Sequence, residues 1–228
     1  SMEEELGITF TVSSEDGCLK IAASGENGHA STPWKGKNAL TGLLALIERL
    51  PLAECGQLKA VRALNHLMPH GDWFGAGLGI QMSDEESGEL TLAFSMLDIS
   101  EKSLEGEFDS RCPICATKEN TIDVIRKNME AEGISFNTEE LEPPHHVPAD
   151  SDFVKTLLSA YESYSGRKGE CIAIGGGTYV HHLKNGVAFG ACLPETENHM
   201  HGPDEFAVVD ELLMSAKIFA QVIVDLCS

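Results

Sequence analysis

Basic residues are scarce in this sequence. Its 228 residues include 16 Lys and Arg against 36 Asp and Glu, which gives a formal net charge of −20. Binding to nucleic acid through a broad surface requires clustered Lys and Arg, and an anionic membrane surface attracts the same residues. The composition therefore excludes a general nucleic-acid partner and disfavours a membrane partner.

Long apolar runs are also missing. The longest apolar stretch, 212–227, is interrupted by Lys217 and Asp225, whereas a membrane-spanning helix needs about 20 mostly apolar residues. Residues 3–5 are all Glu and no apolar segment follows them, so we expect no secretory signal. Apolar residues still make up 42% of the chain, which is typical of a globular protein.

The seven cysteines have no regular spacing, and their number is odd. This pattern argues against a disulfide framework and favours a reducing, cytoplasmic compartment. Cys112 and Cys115 form one Cys-x-x-Cys motif, but no second pair of zinc ligands stands at a suitable spacing. Buried thiols are the simpler interpretation of this motif.

The predicted elements divide the chain near Pro143-Pro144 and Pro148. Residues 3–147 predict an α+β fold, an antiparallel sheet with helices on one face. Residues 148–228 show part of an α/β pattern and are too few to bury their own sheet. The apolar spacing predicts strands at 8–13, 18–23, 77–82, 90–99, 103–110, 134–141, 171–174 and 187–192, and helices at 39–50, 58–67, 116–133, 151–165 and 206–226.

Three segments carry groups suited to a binding or catalytic site. His29 stands in the polar, glycine-rich loop 24–38, where it either reaches a ligand or is an ordinary solvated histidine. Arg111 follows a predicted strand, and its guanidinium suits a bidentate carboxylate contact or a surface ion pair. Residues 175–177 are all Gly, which permits close backbone approach to an anion or carbonyl or simply a tight turn.

His199 and His201 lie just before the last predicted helix. One interpretation is that a histidine here is a metal ligand at the mouth of a sheet. The other is that both histidines lie in a solvated loop. A catalytic zinc takes about three protein ligands, so these two histidines do not complete such a site by themselves.

Taken together, the motifs are more specific than any one of them. They are GHASTPWKGKNAL at 28–40, FDSRCP at 108–113, PPHHVPADSDFV at 143–154, IGGGTYV at 174–180, GVAFGA at 186–191 and MHGPDEF at 200–206. In content and order the chain resembles the co-catalytic zinc peptidases of the aminoacylase and carboxypeptidase clan, most closely the PepV-like dipeptidases. The resemblance extends from about residue 7 to the end of the chain.

The resemblance implies a fold and a division of the chain. Residues 3–147 would be most of a ferredoxin-like lid layer, the domain that relatives use for dimerisation, with its first part missing. Residues 148–228 would be the C-terminal part of an α/β zinc-peptidase catalytic domain. A homo-oligomer is one expected assembly.

The resemblance also assigns roles to individual residues. His201 resembles the C-terminal zinc ligand, and His29 resembles the lid histidine that stabilises the tetrahedral oxyanion. Arg111 resembles the lid arginine that holds the terminal carboxylate of a dipeptide substrate.

The glycine motif is expected to contact the same substrate. Gly176, Gly177 and Thr178 would offer backbone and hydroxyl groups to it. Relatives often continue this motif as Tyr-Ala-Arg, whereas Tyr179 is followed here by Val180 and His181, which puts the substrate preference in doubt.

Much of the family's metal centre has no counterpart in this sequence. Members use two zinc ions held by a His-x-Asp motif, a bridging Asp, a Glu-Glu pair and a further acid, all in an N-terminal half. We therefore expect this sequence to be a C-terminal part of a dinuclear zinc dipeptidase. We also expect this part to be inactive by itself. The alternative is a non-enzymatic module that self-associates or complements a separate N-terminal half.

Overall fold

The computed structural model describes residues 1–190, 192–199 and 204–228. These residues form two compact units. One consists of Ser1–Pro144 together with Ala173–Gly176, and the other consists of His145–Ile172 together with Gly177–Ser228. The short segment Ala173–Gly176 thus belongs to the first unit, although it lies far along the chain.

The first unit begins with a short helix and a hairpin. Helix α1 covers Met2–Leu6, and strands β1 (Thr9–Glu15) and β2 (Cys18–Ser24) pair antiparallel. The turn between the strands uses Asp16 and Gly17, whose φ angles are 49° and 80°. The sequence predicted both strands but did not predict α1.

Two amphipathic helices follow the hairpin. Helix α2 covers Ala39–Arg49 and α3 covers Gly56–Leu67. The Asn38 side chain caps α2 by accepting a hydrogen bond from the Thr41 backbone N–H at 3.1 Å. Its amide nitrogen also donates to the Phe94 carbonyl at 2.7 Å, so one side chain fixes the start of the helix against a strand.

A second hairpin completes the first unit. Strands β3 (Ser83–Asp84) and β4 (Gly88–Glu89) form a small ladder, and β5 (Thr91–Ile99) pairs antiparallel with β6 (Leu104–Arg111). The β5–β6 register pairs Thr91 with Arg111 and shifts between Phe94 and Met96. Helix α4 (Ile122–Ala131) follows.

The main core lies between these helices and the β5–β6 hairpin. It joins α2, α3, α4 and β5 with the segment that connects α3 to β3. Its buried members are Leu44, Val61, Leu64, Leu67, Met68, Leu78, Ile80, Leu90, Leu92, Phe94, Ile125 and Met129.

The second unit has a smaller core between two helices. Helix α5 covers Asp152–Ser165 and α6 covers Val209–Cys227, and their buried contacts involve Leu157, Ala160, Ile218 and Val222. Ser151 caps the N-terminus of α5, because its hydroxyl accepts a hydrogen bond from the Val154 N–H. Gly166 caps the C-terminus in the left-handed conformation. Many other apolar side chains of α6 are exposed, among them Leu213, Ile223 and Val224.

The prediction of helices combined with antiparallel strands is confirmed, but the single sheet is not observed. The described strands form three separate two-stranded sheets, β1–β2, β3–β4 and β5–β6. Residues 77–82 were predicted as a strand, whereas 77–79 form a turn and 80–82 have no regular secondary structure. Leu78 and Ile80 are buried as expected, but Gly75 and Gly79 have φ near +75°, which an extended strand does not accommodate.

Three further predicted strands are also absent from the described residues: 134–141, 171–174, and the described part of 187–192. Ile134 and Phe136 pack against the main core without joining a ladder. Ile172 and Ile174 are 80% and 58% exposed. Because apolar patterning does not supply backbone partners, these segments have strand-like composition without strand pairing.

Within the described part of the chain, no helix has both the length and the hydropathy needed to cross a bilayer.

Asp84 joins the β3–β4 hairpin to the segment after β6. Its carboxylate accepts from the backbone N–H groups of Glu86, Ser87 and Cys115 and from the Ser87 hydroxyl. These bonds, the Ser87 amide foremost, lower the pKa of Asp84 from 3.8 to about 2. The stabilisation is complete above the unfolded-state pKa of 3.8 and is lost as the pH falls through about 2.

We predict that Asp84→Asn lowers the urea midpoint of unfolding at neutral pH, because it removes the charge that accepts these bonds. The deficit should shrink as the pH falls from 3.8 towards 2, where the wild-type carboxylate also becomes neutral. Urea unfolding followed by circular dichroism across this range tests the prediction. Glu85→Gln, which removes the same charge from the same turn, is the matched control, and an equal loss in both variants would contradict the prediction.

Candidate functional site

The loop that carries His29 is closed at its base. Glu26 and Lys37 form an antiparallel bridge, with N–H to carbonyl distances of 3.1 and 2.8 Å, and their side chains form an ion pair at 2.8 Å. Inside the loop, Gly36 passes so close to Gly28 that a Cβ on Gly36 would lie 2.8 Å from the Gly28 nitrogen. The loop is therefore a constrained structure in which a side chain can hold one position.

Ser31 contacts the imidazole of His29 through two groups. The Ser31 hydroxyl oxygen lies 2.7 Å from His29 Nδ1, and the Ser31 backbone N–H donates to the same nitrogen at 3.2 Å. One residue further on, the Thr32 N–H donates to the His29 carbonyl at 2.9 Å. His29 is exposed, so these contacts, rather than burial, orient its ring.

Thr91 connects the His29 loop to the strand pair that ends in Arg111. Its hydroxyl donates to the Ala30 carbonyl at 2.8 Å, and its side chain is buried, at 5% exposure. Thr91 is also the register partner of Arg111. The backbones that carry His29 and Arg111 are thus fixed relative to one another through one threonine.

The Nε donor of Arg111 is buried and lacks an acceptor among the described residues. The Nη2 of the same side chain donates to Asp109 Oδ2 at 3.0 Å, as expected for residues two apart on one face of a strand. A buried donor without an acceptor is unfavourable, so the Nε edge of the guanidinium is suited to receive the oxygen of a ligand.

Gly175 brings the glycine motif into the same unit. A Cβ on Gly175 would lie 2.7 Å from the Ser31 Cβ and 3.5 Å from the Arg111 Cβ. Only a residue without a side chain fits this approach, and Gly176 follows directly. The residues predicted from the sequence as substrate contacts in this motif were Gly176, Gly177 and Thr178, and Gly175 was not among them.

The other predicted residues are placed differently. Gly177 and Thr178 belong to the second unit, where the Thr178 N–H donates to His181 Nδ1 at 3.3 Å. The Thr178 hydroxyl oxygen is buried, with no hydrogen-bond partner among the residues described. His201, the predicted metal ligand, lies outside the described residues.

The described residues do not by themselves fit a zinc centre. They contain no group of three or more His, Cys, Asp or Glu side chains that could hold a metal ion, whereas a catalytic zinc takes about three protein ligands. All seven cysteines are free thiols. In the Cys-x-x-Cys motif, burial raises the pKa of the half-buried Cys112. Cys115 is exposed, and partial desolvation together with the neighbouring Asp84 carboxylate raises its pKa as well. Both shifts disfavour the thiolate that binds metal.

Comparison with known proteins identifies a family. Residues 5–225 match the family described as Peptidase family M20/M25/M40. The protein named "Putative dipeptidase YtjP" from Bacillus subtilis is 36% identical over 213 residues, which cover 93% of this chain and 45% of that protein. The Beta-Ala-Xaa dipeptidase of Lactobacillus delbrueckii subsp. lactis is 32% identical over 226 residues, 98% of this chain and 47% of that protein.

Among solved structures, an M20 family metallo-carboxypeptidase from Sulfolobus solfataricus has a TM-score of 0.45 at 16% identity, covering 79% of this chain and 44% of that one. The chain spans about half the length of the curated relatives it matches.

We predict that Thr91→Val increases the mobility of the His29 loop. Valine keeps the shape of threonine but removes the hydroxyl that is bonded to the Ala30 carbonyl. The lost hydrogen bond should cost about 1 kcal/mol of stability. Hydrogen exchange at the Thr32 amide should also accelerate.

Thr91→Ser is the matched control because it keeps the hydroxyl. The serine variant loses a methyl group and some global stability, but its Thr32 amide should exchange as slowly, relative to global unfolding, as in the parent. Equal loop exchange in the valine variant and the parent chain would exclude the proposed linkage.

We predict that Gly175→Ala displaces the His29 loop, because the new methyl group would overlap Ser31. Overpacking of this kind costs about 1–3 kcal/mol. The Ser31 and Arg111 amide resonances should shift, and the melting temperature should fall. Gly176→Ala is the control, because a Cβ there meets no atom of the described residues within 4 Å. Similar spectral changes in both variants would argue against the close approach.

Proposed function

This chain belongs to peptidase family M20/M25/M40, and we propose that it forms the C-terminal part of a dinuclear zinc dipeptidase whose substrates are dipeptides with a free C-terminal carboxylate. The observation that carries the proposal is the grouping of His29, Arg111 and Gly175 in one unit through Ser31 and Thr91. The names of the relatives supply the reaction class. Residues 3–147 are proposed as the lid domain and 148–228 as part of the catalytic domain.

Arg111 is proposed to bind the terminal carboxylate. A guanidinium offers parallel N–H donors that match both oxygens of a carboxylate. Asp109 holds Nη2, which limits rotation of the group, while Nε–H lacks an acceptor within the described residues. Binding a carboxylate there would satisfy a buried donor that the described residues leave unpaired.

His29 is proposed to donate a hydrogen bond to the oxyanion that develops when the peptide carbonyl becomes tetrahedral. A donor fixed in place before the reaction needs no reorganisation in the transition state. The closed loop and the two contacts from Ser31 provide such fixation. Gly176, Gly177 and the Thr178 hydroxyl are proposed as further substrate contacts.

The proposed metal centre draws its ligands from this chain and from the rest of the family's length. His201 is proposed as one zinc ligand. The other ligands and the general base are proposed to come from the part of the family that this chain does not span. The chain alone is therefore proposed to be inactive, and its free thiols suit a cytoplasmic location.

A second candidate is a non-catalytic module that self-associates or complements a separate N-terminal half. The observation in its favour is the apolar surface of α6, where Leu213, Ile223 and Val224 are more than half exposed. Exposed apolar surface of this kind typically marks a contact with another protein surface. Sedimentation of the purified chain separates a self-associating module from a monomer.

The proposed activity is tested with these 228 residues joined to, or co-expressed with, the remaining half of the family's length. Hydrolysis of α-dipeptides, β-alanyl dipeptides and C-terminally amidated dipeptides is compared with zinc present. We expect cleavage of free dipeptides and little cleavage of amides. Cleavage of both at equal rates would overturn the carboxylate requirement, and zinc-dependent cleavage by the 228 residues alone would overturn their proposed inactivity.

In the same assay, Arg111→Lys is expected to reduce kcat/KM about 10- to 100-fold, because lysine provides a point charge without the parallel N–H donors of a guanidinium. Most of the loss should appear as a higher KM for free dipeptides. Arg62→Lys, at a surface ion pair with Glu54, is the matched control. An unchanged KM in Arg111→Lys would remove Arg111 from the proposed site.

A further inference from the structure

The two contacts between Ser31 and His29 determine where the imidazole carries its proton. A backbone N–H can donate a hydrogen bond but cannot accept one. Because the Ser31 N–H lies 3.2 Å from Nδ1 with donor geometry, Nδ1 must present its lone pair. In a neutral imidazole the proton is then on Nε2.

The Ser31 hydroxyl strengthens the same arrangement. A hydroxyl can donate or accept, but opposite a nitrogen that already accepts from an N–H it must donate. Its 2.7 Å distance to Nδ1 is that of a good hydrogen bond. Both groups of Ser31 therefore favour one tautomer and one ring orientation.

We propose that Ser31 is a positioning residue that holds His29 as the Nε2–H tautomer, so that the ring offers a donor rather than a lone pair to the substrate. Its effect on turnover rests on the proposed function. The tautomer itself is a property of the 228-residue chain and does not depend on that function.

The surroundings of Ser31 support a positioning role. Gly175 packs against the Ser31 Cβ, and Thr91 fixes the carbonyl of the preceding residue, Ala30. The glycine motif and the β5–β6 hairpin thus both hold Ser31 in place. A displacement of the glycine motif or of the hairpin would move Ser31 and, with it, the ring of His29.

The consequence for the reaction follows from the charge that develops. An oxyanion is stabilised by a hydrogen-bond donor and repelled by a lone pair, and loss of one such donor typically costs about 10²–10³ in kcat. Ser31→Ala keeps the backbone N–H and removes only the hydroxyl. We therefore expect it to reduce kcat about tenfold, a fraction of the full effect, with little change in KM.

The direct test is nitrogen-15 NMR of the imidazoles in the labelled chain at about pH 8, where histidines are ordinarily neutral. Two-bond proton–nitrogen correlations distinguish the Nε2–H from the Nδ1–H form. His29→Gln assigns the signals of His29 among the nine histidines. The parent chain should show the Nε2–H pattern, and Ser31→Ala should show a measurable admixture of the other tautomer.

Ser13→Ala, in the exposed strand β1, controls for removal of a hydroxyl elsewhere, and melting curves control for folding. An Nδ1–H pattern in the parent chain, or identical patterns in the parent and Ser31→Ala, would overturn the proposal. If the tautomer is confirmed but the completed enzyme cleaves no dipeptide, the proposed function fails while the positioning role stands. The two failures are therefore distinguishable.

Discussion

The hydrogen bond from the Thr91 hydroxyl to the Ala30 carbonyl is the constraint on which the candidate site depends. Ala30 follows His29, and Thr91 faces Arg111 across the β5–β6 ladder. Asn38 anchors the end of the loop by donating to the Phe94 carbonyl of β5. A polar, glycine-rich loop would ordinarily be mobile, but this loop is fixed to the same strand at two points, at Ala30 in its middle and at Asn38 at its end.

The packing of β5 gives that strand the rigidity to serve as an anchor. Leu92 and Phe94 are buried in the main core, so a shift of β5 would expose apolar surface worth about 25 cal/mol for each Å². The β5–β6 register is regular from Thr91 to Phe94, the two residues that contact the loop, and shifts only after Phe94. The hydrophobic core thus holds the position of polar groups that it does not contact.

The sequence predicts the local features of this protein better than the distant ones. Helical spacing located α2, α3, α5 and α6 within a few residues, and the motifs singled out His29 and Arg111. Ser31, Thr91 and Gly175 were not predicted as positioning residues, because their roles arise from the β5–β6 register and from the return of Ala173–Gly176 to the first unit. Residues 77–82 show the converse error: their apolar side chains are buried, but glycine turns prevent the predicted strand.

The arrangement around His29 also bears on the catalytic role proposed for this surface-exposed histidine. Burial would orient such a ring but would remove it from an approaching substrate. Here the orientation comes from short-range hydrogen bonds within a closed loop, so the ring is both ordered and exposed. The entropy of ordering the ring is lost when the protein folds rather than when the transition state forms, which is the condition under which one hydrogen-bond donor contributes most to the rate.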